Sequence, residues 1–177
     1  MESNISLIEI PPILSKFDFY SMPKYMQDLS VFLASDLIYV LAGIFVIFMI
    51  WTFLKKGLNI VKLSVFALPT IFVFSRLASF LVKTNRPFVE YNLSPIIAHT
   101  ADNGFPSDHT LAAVSMALII FSESRILGSI FLLGAALIGY GRFTTNLHNP
   151  IDIVASFVIA IIGIIVGRYL MKKVEGK

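Results

Sequence analysis

Residues Leu37–Leu54 form an unbroken run of 18 residues without a charge, closed by Lys55 and Lys56. A helix rises about 1.5 Å per residue and a bilayer's hydrocarbon core is about 30 Å thick, so a run of this kind reads as a membrane span. Four more runs follow. Leu63–Val82 is interrupted by Pro69 and Arg76, and Ser107–Phe121 is shorter. Sixteen residues separate Arg125 from Arg142, and Ile151–Leu170 precedes Lys172 and Lys173. The fourth run carries Gly128, Gly134, Gly139 and Gly141, which suit close helix packing. The expectation is an all-α, polytopic membrane helix bundle of five transmembrane helices, forming one domain over residues 1–177. Residues 1–30, with Pro11, Pro12 and Pro23 among Phe, Tyr, Ile and Leu, read as an N-terminal interfacial segment.

Only 14% of the residues are charged, against about 25% in soluble domains, which excludes an ordinary soluble enzyme and a nucleic-acid-binding domain. There is no Cys, so thiolate nucleophiles, Cys-bound zinc and iron–sulfur clusters are excluded too. The acidic, polar start of the chain does not read as a cleavable signal peptide.

The few charges are sorted by side. With five spans, one side holds eight of the 14 Lys and Arg residues and only two acids, Glu123 and Glu175. The other side holds six basic residues and nine acids. Counted over Lys and Arg, the bias places the first side in the cytoplasm. The N-terminus then lies outside and the C-terminus inside, in a multi-pass protein of the cell membrane.

All three His residues fall on the outward side, at 99, 109 and 148. Three polar stretches gather there: Lys83–Phe88, Phe105–Thr110 and Arg142–Asp152. Arg86, Arg142 and Lys83 are fixed cations, and the planar Arg fork matches phosphate. Pro106-Ser107-Asp108 precedes a helix, whose free N–H groups and dipole attract an anion, and the Ser107 hydroxyl is a further donor. His148 and Asp152 are four apart, with Pro150 placed to open a helix, so the carboxylate can hold the imidazole in one tautomer. Two imidazoles, a supporting carboxylate and several cations describe a phosphoryl-transfer site without a metal or cofactor. Arg76, two turns inside the second span, needs an anionic partner or water.

The run Arg86-Pro87, then Pro106-Ser107-Asp108-His109, then Arg142, His148 and Asp152 resembles the three-part signature of the type 2 phosphatidic acid phosphatase (PAP2) superfamily. The likeness covers residues 76–152. It implies that His148 attacks phosphorus and forms a phospho-histidine, that Asp152 orients and stabilises it, and that His109 protonates the leaving oxygen. Arg86, Arg142 and the Ser107 region would hold the phosphate oxygens.

Three positions depart from the family pattern. Ser79 stands where the first motif has Lys, Asp108 where the second has Gly, and Gly141 where the third has Ser. Arg76 and Lys83 flank Ser79 by one helical turn on either side and are the candidates to replace the missing cation. Asn85-Arg86-Pro87-Phe88, with His99, Asp102 and Phe105–His109, resembles the bacterial undecaprenyl-diphosphate phosphatases of this superfamily. The implied partner is a polyprenyl diphosphate lipid, cleaved on the outer face of the bilayer. Competing readings are the same chemistry on phosphatidate, phosphatidylglycerol phosphate or dolichyl diphosphate, and, from another class, a small transporter or lipid-binding scaffold.

Overall fold

The computed structural model describes residues 19–93 and 95–176, and among them every regular element is helical. After a short 3-10 turn at Phe19–Ser21 come α1 (Lys24–Ser35), α2 (Leu37–Lys56), α3 (Asn59–Leu81) and the one-turn α4 (Pro87–Glu90). Then follow α5 (Asp108–Phe121), α6 (Arg125–Thr144) and α7 (Pro150–Val174). Of the expected interfacial segment, residues 1–18 lie outside the described part. The remainder leads into α1, which buries Ser30, Leu33 and Ala34 and packs on α6.

The helix ends follow local chemistry. Gly57, at φ 81°, closes α2 in a conformation that costs a residue with a side chain energy. The Ser124 hydroxyl accepts from Leu127 N–H at the start of α6, and Pro150 occupies the first turn of α7. Pro69 does not break α3, which runs through it.

Four helices, α2, α3, α6 and α7, are long and apolar enough to cross a membrane, and the chain is a membrane protein. The remaining expected span, the short run Ser107–Phe121, forms α5 over 14 residues. At about 1.5 Å per residue that is roughly 21 Å, short of the bilayer core. This length is tolerated because α5 is wrapped by protein rather than lipid. It packs against α2, α3, α6 and α7, and nine of its residues are buried. The non-helical backbone entering it, at Pro106 and Ser107, is buried in protein. By contrast, only Leu41 and Thr52 of α2 are buried, so α2 shows most of its surface outward.

The core joins Ile60, Leu63, Ala67 and Ile71 of α3 to Val114, Ala117 and Ile120 of α5, with Phe131 and Ile138 of α6 and Ile164 of α7. Small residues set the helix spacings. A Cβ on Gly141 would lie 2.6 Å from Ala34 N, and one on Gly167 would lie 2.5 Å from Ala67 Cα. These contacts are to backbone, so the helices themselves would have to part. Gly167→Ala is expected to cost about 1–3 kcal/mol by overpacking. Gly43→Ala, which meets nothing within 4 Å, is the matched control. Thermal unfolding in detergent checks this: equal melting temperatures for the two variants would refute the close α3–α7 contact.

The ends of the bundle differ. At one end Lys56 pairs with Glu123 at 3.0 Å and Lys62 with Glu175 at 2.7 Å. At the other end lie the C-termini of α3 and α6, the N-termini of α5 and α7, and residues 95–107.

Candidate active site

The α6–α7 turn places the central imidazole. Asn146 adopts a left-handed φ of 59°, and the N–H groups of Leu147 and His148 return to Arg142 O, at 3.0 and 3.2 Å. This fold-back brings His148 under Arg142. His148 is 2% exposed, Arg142 3% and Arg86 5%. Burying cations this deeply is costly unless they face partners of opposite sign or strong acceptors.

His148 Nδ1 lies 2.8 Å from the Gly104 carbonyl, which can only accept. Its Nε2 lies 3.1 Å from Arg86 Nη1 and 3.3 Å from Arg142 Nη2, which can only donate. The partners therefore fix the ring: Nδ1 carries the proton and Nε2 presents a lone pair to two guanidiniums. Burial, reinforced by both Arg charges and opposed by Asp152, holds His148 below the usual histidine pKa. The neutral ring is the nucleophilic one.

Asp152 sits behind His148, fully buried, with Oδ2 3.5 Å from Nδ1. Its hydrogen bonds go elsewhere. Oδ1 accepts from Thr84 Oγ1 at 2.8 Å, and Oδ2 from Asn149 N at 2.9 Å, which caps α7. The carboxylate thus supports the imidazole through charge, while the Gly104 carbonyl sets its tautomer.

A cavity of about 260 Å³ opens in front of His148. Its wall includes Arg76, Arg86, Asp108, His109 and Arg142 from the sequence-derived set, and also Ser79, His99, Asp102 and Asn103. Arg86 Nε donates to Asp102 at 2.7 Å, and Arg142 Nη2 lies 3.4 Å from His99 Nε2. Burial pulls the His99 pKa down, helped by the Arg86 charge. Arg142 Nε is buried without a partner, an orphaned donor beside two other cation-borne donors. Among the described residues no three His, Asp or Glu side chains gather as a metal site. The chemistry of this wall is that of an anion site.

Besides Asp152, which sits behind His148, two sequence candidates are not in the wall. Ser107 is fully buried; its hydroxyl accepts from Thr110 Oγ1 at 3.1 Å and its N–H donates to Asp152 O at 3.3 Å. It braces α5 against α7 instead of facing the cavity. Lys83 is exposed, and its ammonium caps Ser79 O at 2.8 Å. The reason is that α3 stops at Leu81 and Val82 is extended, so Lys83 is not one helical turn above Ser79. Arg76, inside α3, does keep that phase. It stacks over Phe72 at 5.6 Å and pairs with Asp108.

Three contributors were missed by sequence reasoning: Thr84, the Gly104 carbonyl and Asn103. Asn103 Nδ2 donates to Ser79 O at 3.0 Å and Val82 O at 3.1 Å, while its Oδ1 accepts from Thr84 N at 3.0 Å. It ties the end of α3 to the 102–107 loop. An Asn in a polar loop has no periodicity to announce it.

Residues 60–175 match the PAP2 superfamily family model. Undecaprenyl-diphosphatase BcrC of Bacillus subtilis is 36% identical over 77 residues, 44% of this chain and 40% of that protein. Putative undecaprenyl-diphosphatase YbjG of Escherichia coli is 29% identical over 140 residues, 78% of this chain and 70% of that one. Bacitracin transport permease protein BcrC of Bacillus licheniformis is 28% identical over 144 residues, 81% of this chain and 69% of that one. The crystal structure of Aquifex aeolicus LpxE superposes with a TM-score of 0.69 at 20% identity, over 89% of this chain and 93% of that chain. A family match over most of the chain, with Arg86, His109, Arg142 and His148 converging on one cavity, makes this protein a member of the PAP2 superfamily.

Proposed function

We propose that the chain is an integral membrane lipid phosphatase that converts undecaprenyl diphosphate to undecaprenyl phosphate, recycling the cell-wall carrier lipid. The observation that carries this reading is the His148 ring, with Nδ1 on the Gly104 carbonyl and Nε2 turned to Arg86 and Arg142. The undecaprenyl-diphosphatase names of two relatives support the substrate.

In the proposed mechanism, phosphate oxygens take the guanidinium donors now on Nε2, freeing its lone pair. Nε2 bonds to the terminal phosphorus and the bond from phosphorus to the bridging oxygen breaks. Its electron pair stays on that oxygen, to which His109 delivers a proton. The phosphorylated ring is cationic, and the Asp152 carboxylate 3.5 Å away stabilises it. Water then attacks the same phosphorus, with His109 as base, and releases inorganic phosphate and free His148. The excess of Lys and Arg at the opposite end supports an extracytoplasmic site.

Phosphate release from a lipid panel tests this. Undecaprenyl diphosphate is expected to be turned over faster than phosphatidate or phosphatidylglycerol phosphate. Equal or better turnover of phosphatidate would overturn the carrier-lipid assignment. A second reading, transport, is favoured by the permease name of one relative. No phosphate release from any lipid would favour it.

A further inference from the structure

Two cavities share one wall. The polar cavity in front of His148 and a larger, apolar groove of about 510 Å³ both include Arg76 and Asp108 in their linings. The groove lies between α2, α3 and α5, walled by Phe45, Leu68, Phe72, Leu111 and Met116. The ion pair between Arg76 and Asp108 is thus the border between a cationic pocket and an apolar groove. It is also loosely held. The two side chains are 48% and 67% exposed, and a pair that open to solvent adds little. Arg76 has a second anchor independent of Asp108, the Phe72 ring. It can therefore leave its carboxylate without leaving its place.

We infer that the Arg76–Asp108 pair is the element that reads the inner, lipid-side phosphate of a diphosphate substrate. Arg76 exchanges Asp108 for that phosphate while the lipid chain enters the groove beside Phe72. This rests on the phosphatase reading and deepens it. With the terminal phosphate at Arg86, Arg142 and His148, the inner phosphate lies toward the border and the chain beyond it. The chemistry gives the border residue a selective role. When a diphosphate is cleaved, the leaving group is a phosphate monoester whose negative charge spreads over oxygens that Arg76 can bind. When a monophosphate is cleaved, the leaving group is an alcohol with no such oxygens. Arg76 therefore favours diphosphates over monophosphates. Asp108, as a competing anion, lets go only for a ligand carrying more charge.

The experiment compares kcat/KM on farnesyl diphosphate and farnesyl monophosphate for the full chain in detergent. Arg76→Ala is expected to lose about tenfold more on the diphosphate than on the monophosphate, the size of one charge-assisted contact. Arg76→Lys, which keeps the charge, should recover part of that difference. Asp108→Asn should move the ratio the opposite way, lowering KM for the diphosphate relative to the monophosphate. Equal losses of Arg76→Ala on both substrates, or no loss on either, would overturn the inference while leaving phosphatase function intact. An Asp108→Asn shift in the same direction as Arg76→Ala would overturn the exchange. A wild-type chain that releases phosphate from neither substrate would overturn both this inference and the reading it rests on.

Discussion

Purified His148→Ala is expected to lose lipid phosphatase activity by roughly 10³-fold or more, the scale seen when a covalent nucleophile is removed. The loss should fall on kcat, because Arg86 and Arg142 remain to bind phosphate. The fold should survive, since His148 contributes one ring within a turn already fixed by the Arg142 carbonyl and Asn146. Removing the ring also unpairs the Arg86 and Arg142 donors that face it, so phosphate binding in the variant is not expected to weaken. The same ring sets the acidic side of the pH profile. Because burial and two guanidiniums depress its pKa, protonation should silence the wild-type enzyme only below the usual histidine value of about 6.5. Initial rates across pH, with phosphate binding followed separately, check both points. An acidic limb above that value, or retained turnover in His148→Ala, would sink the assignment of the nucleophile.

Asp152 carries two jobs that a pair of substitutions can separate. Its oxygens accept from Thr84 Oγ1 and Asn149 N, and its charge lies beside the His148 ring. Asp152→Asn keeps both hydrogen bonds, because the amide oxygen accepts from Asn149 and its NH₂ donates to the Thr84 hydroxyl. That variant is expected to melt close to wild type, yet to lose roughly a hundredfold or more in kcat for want of the charge. Asp152→Ala removes the cap and leaves buried donors unpaired, at a cost of about 2–4 kcal/mol. Melting temperature and kcat measured together discriminate the two. If Asp152→Asn keeps wild-type kcat, the carboxylate is a structural brace only.

The parts of this site that were legible in the sequence are those whose chemistry is carried by side chains at fixed spacing. Arg86, His109, Arg142 and His148 were each identified, and each lines the cavity. The bundle was legible from the apolar runs, because lipid demands long helices and leaves a continuous signature. Two kinds of feature were not. Helix ends decide which residues share a face, and Lys83 was assigned a phase that α3 does not extend far enough to give it. The enclosure of α5 by its neighbours was likewise not legible, because an apolar run does not reveal whether protein or lipid surrounds it. The loop leading into α5 was legible only in part. His99 and Asp102 were named, but the Gly104 carbonyl and Asn103, which ties the end of α3 to the loop through a single amide, were not.

The carbonyl that sets the His148 tautomer belongs to the main chain, so no codon change at position 104 can delete it. A survey of every substitution at that position would be blind to the acceptor itself. What it would register is crowding, since a Cβ there would sit 3.2 Å from both Asp152 Oδ2 and Thr84 Oγ1. A component of the proposed site is in this sense exempt from side-chain mutation. Its loss can come only through displacement of the loop, which is held by Gly104 N on Thr84 O at 2.9 Å and by Thr84 N on Asn103 Oδ1 at 3.0 Å.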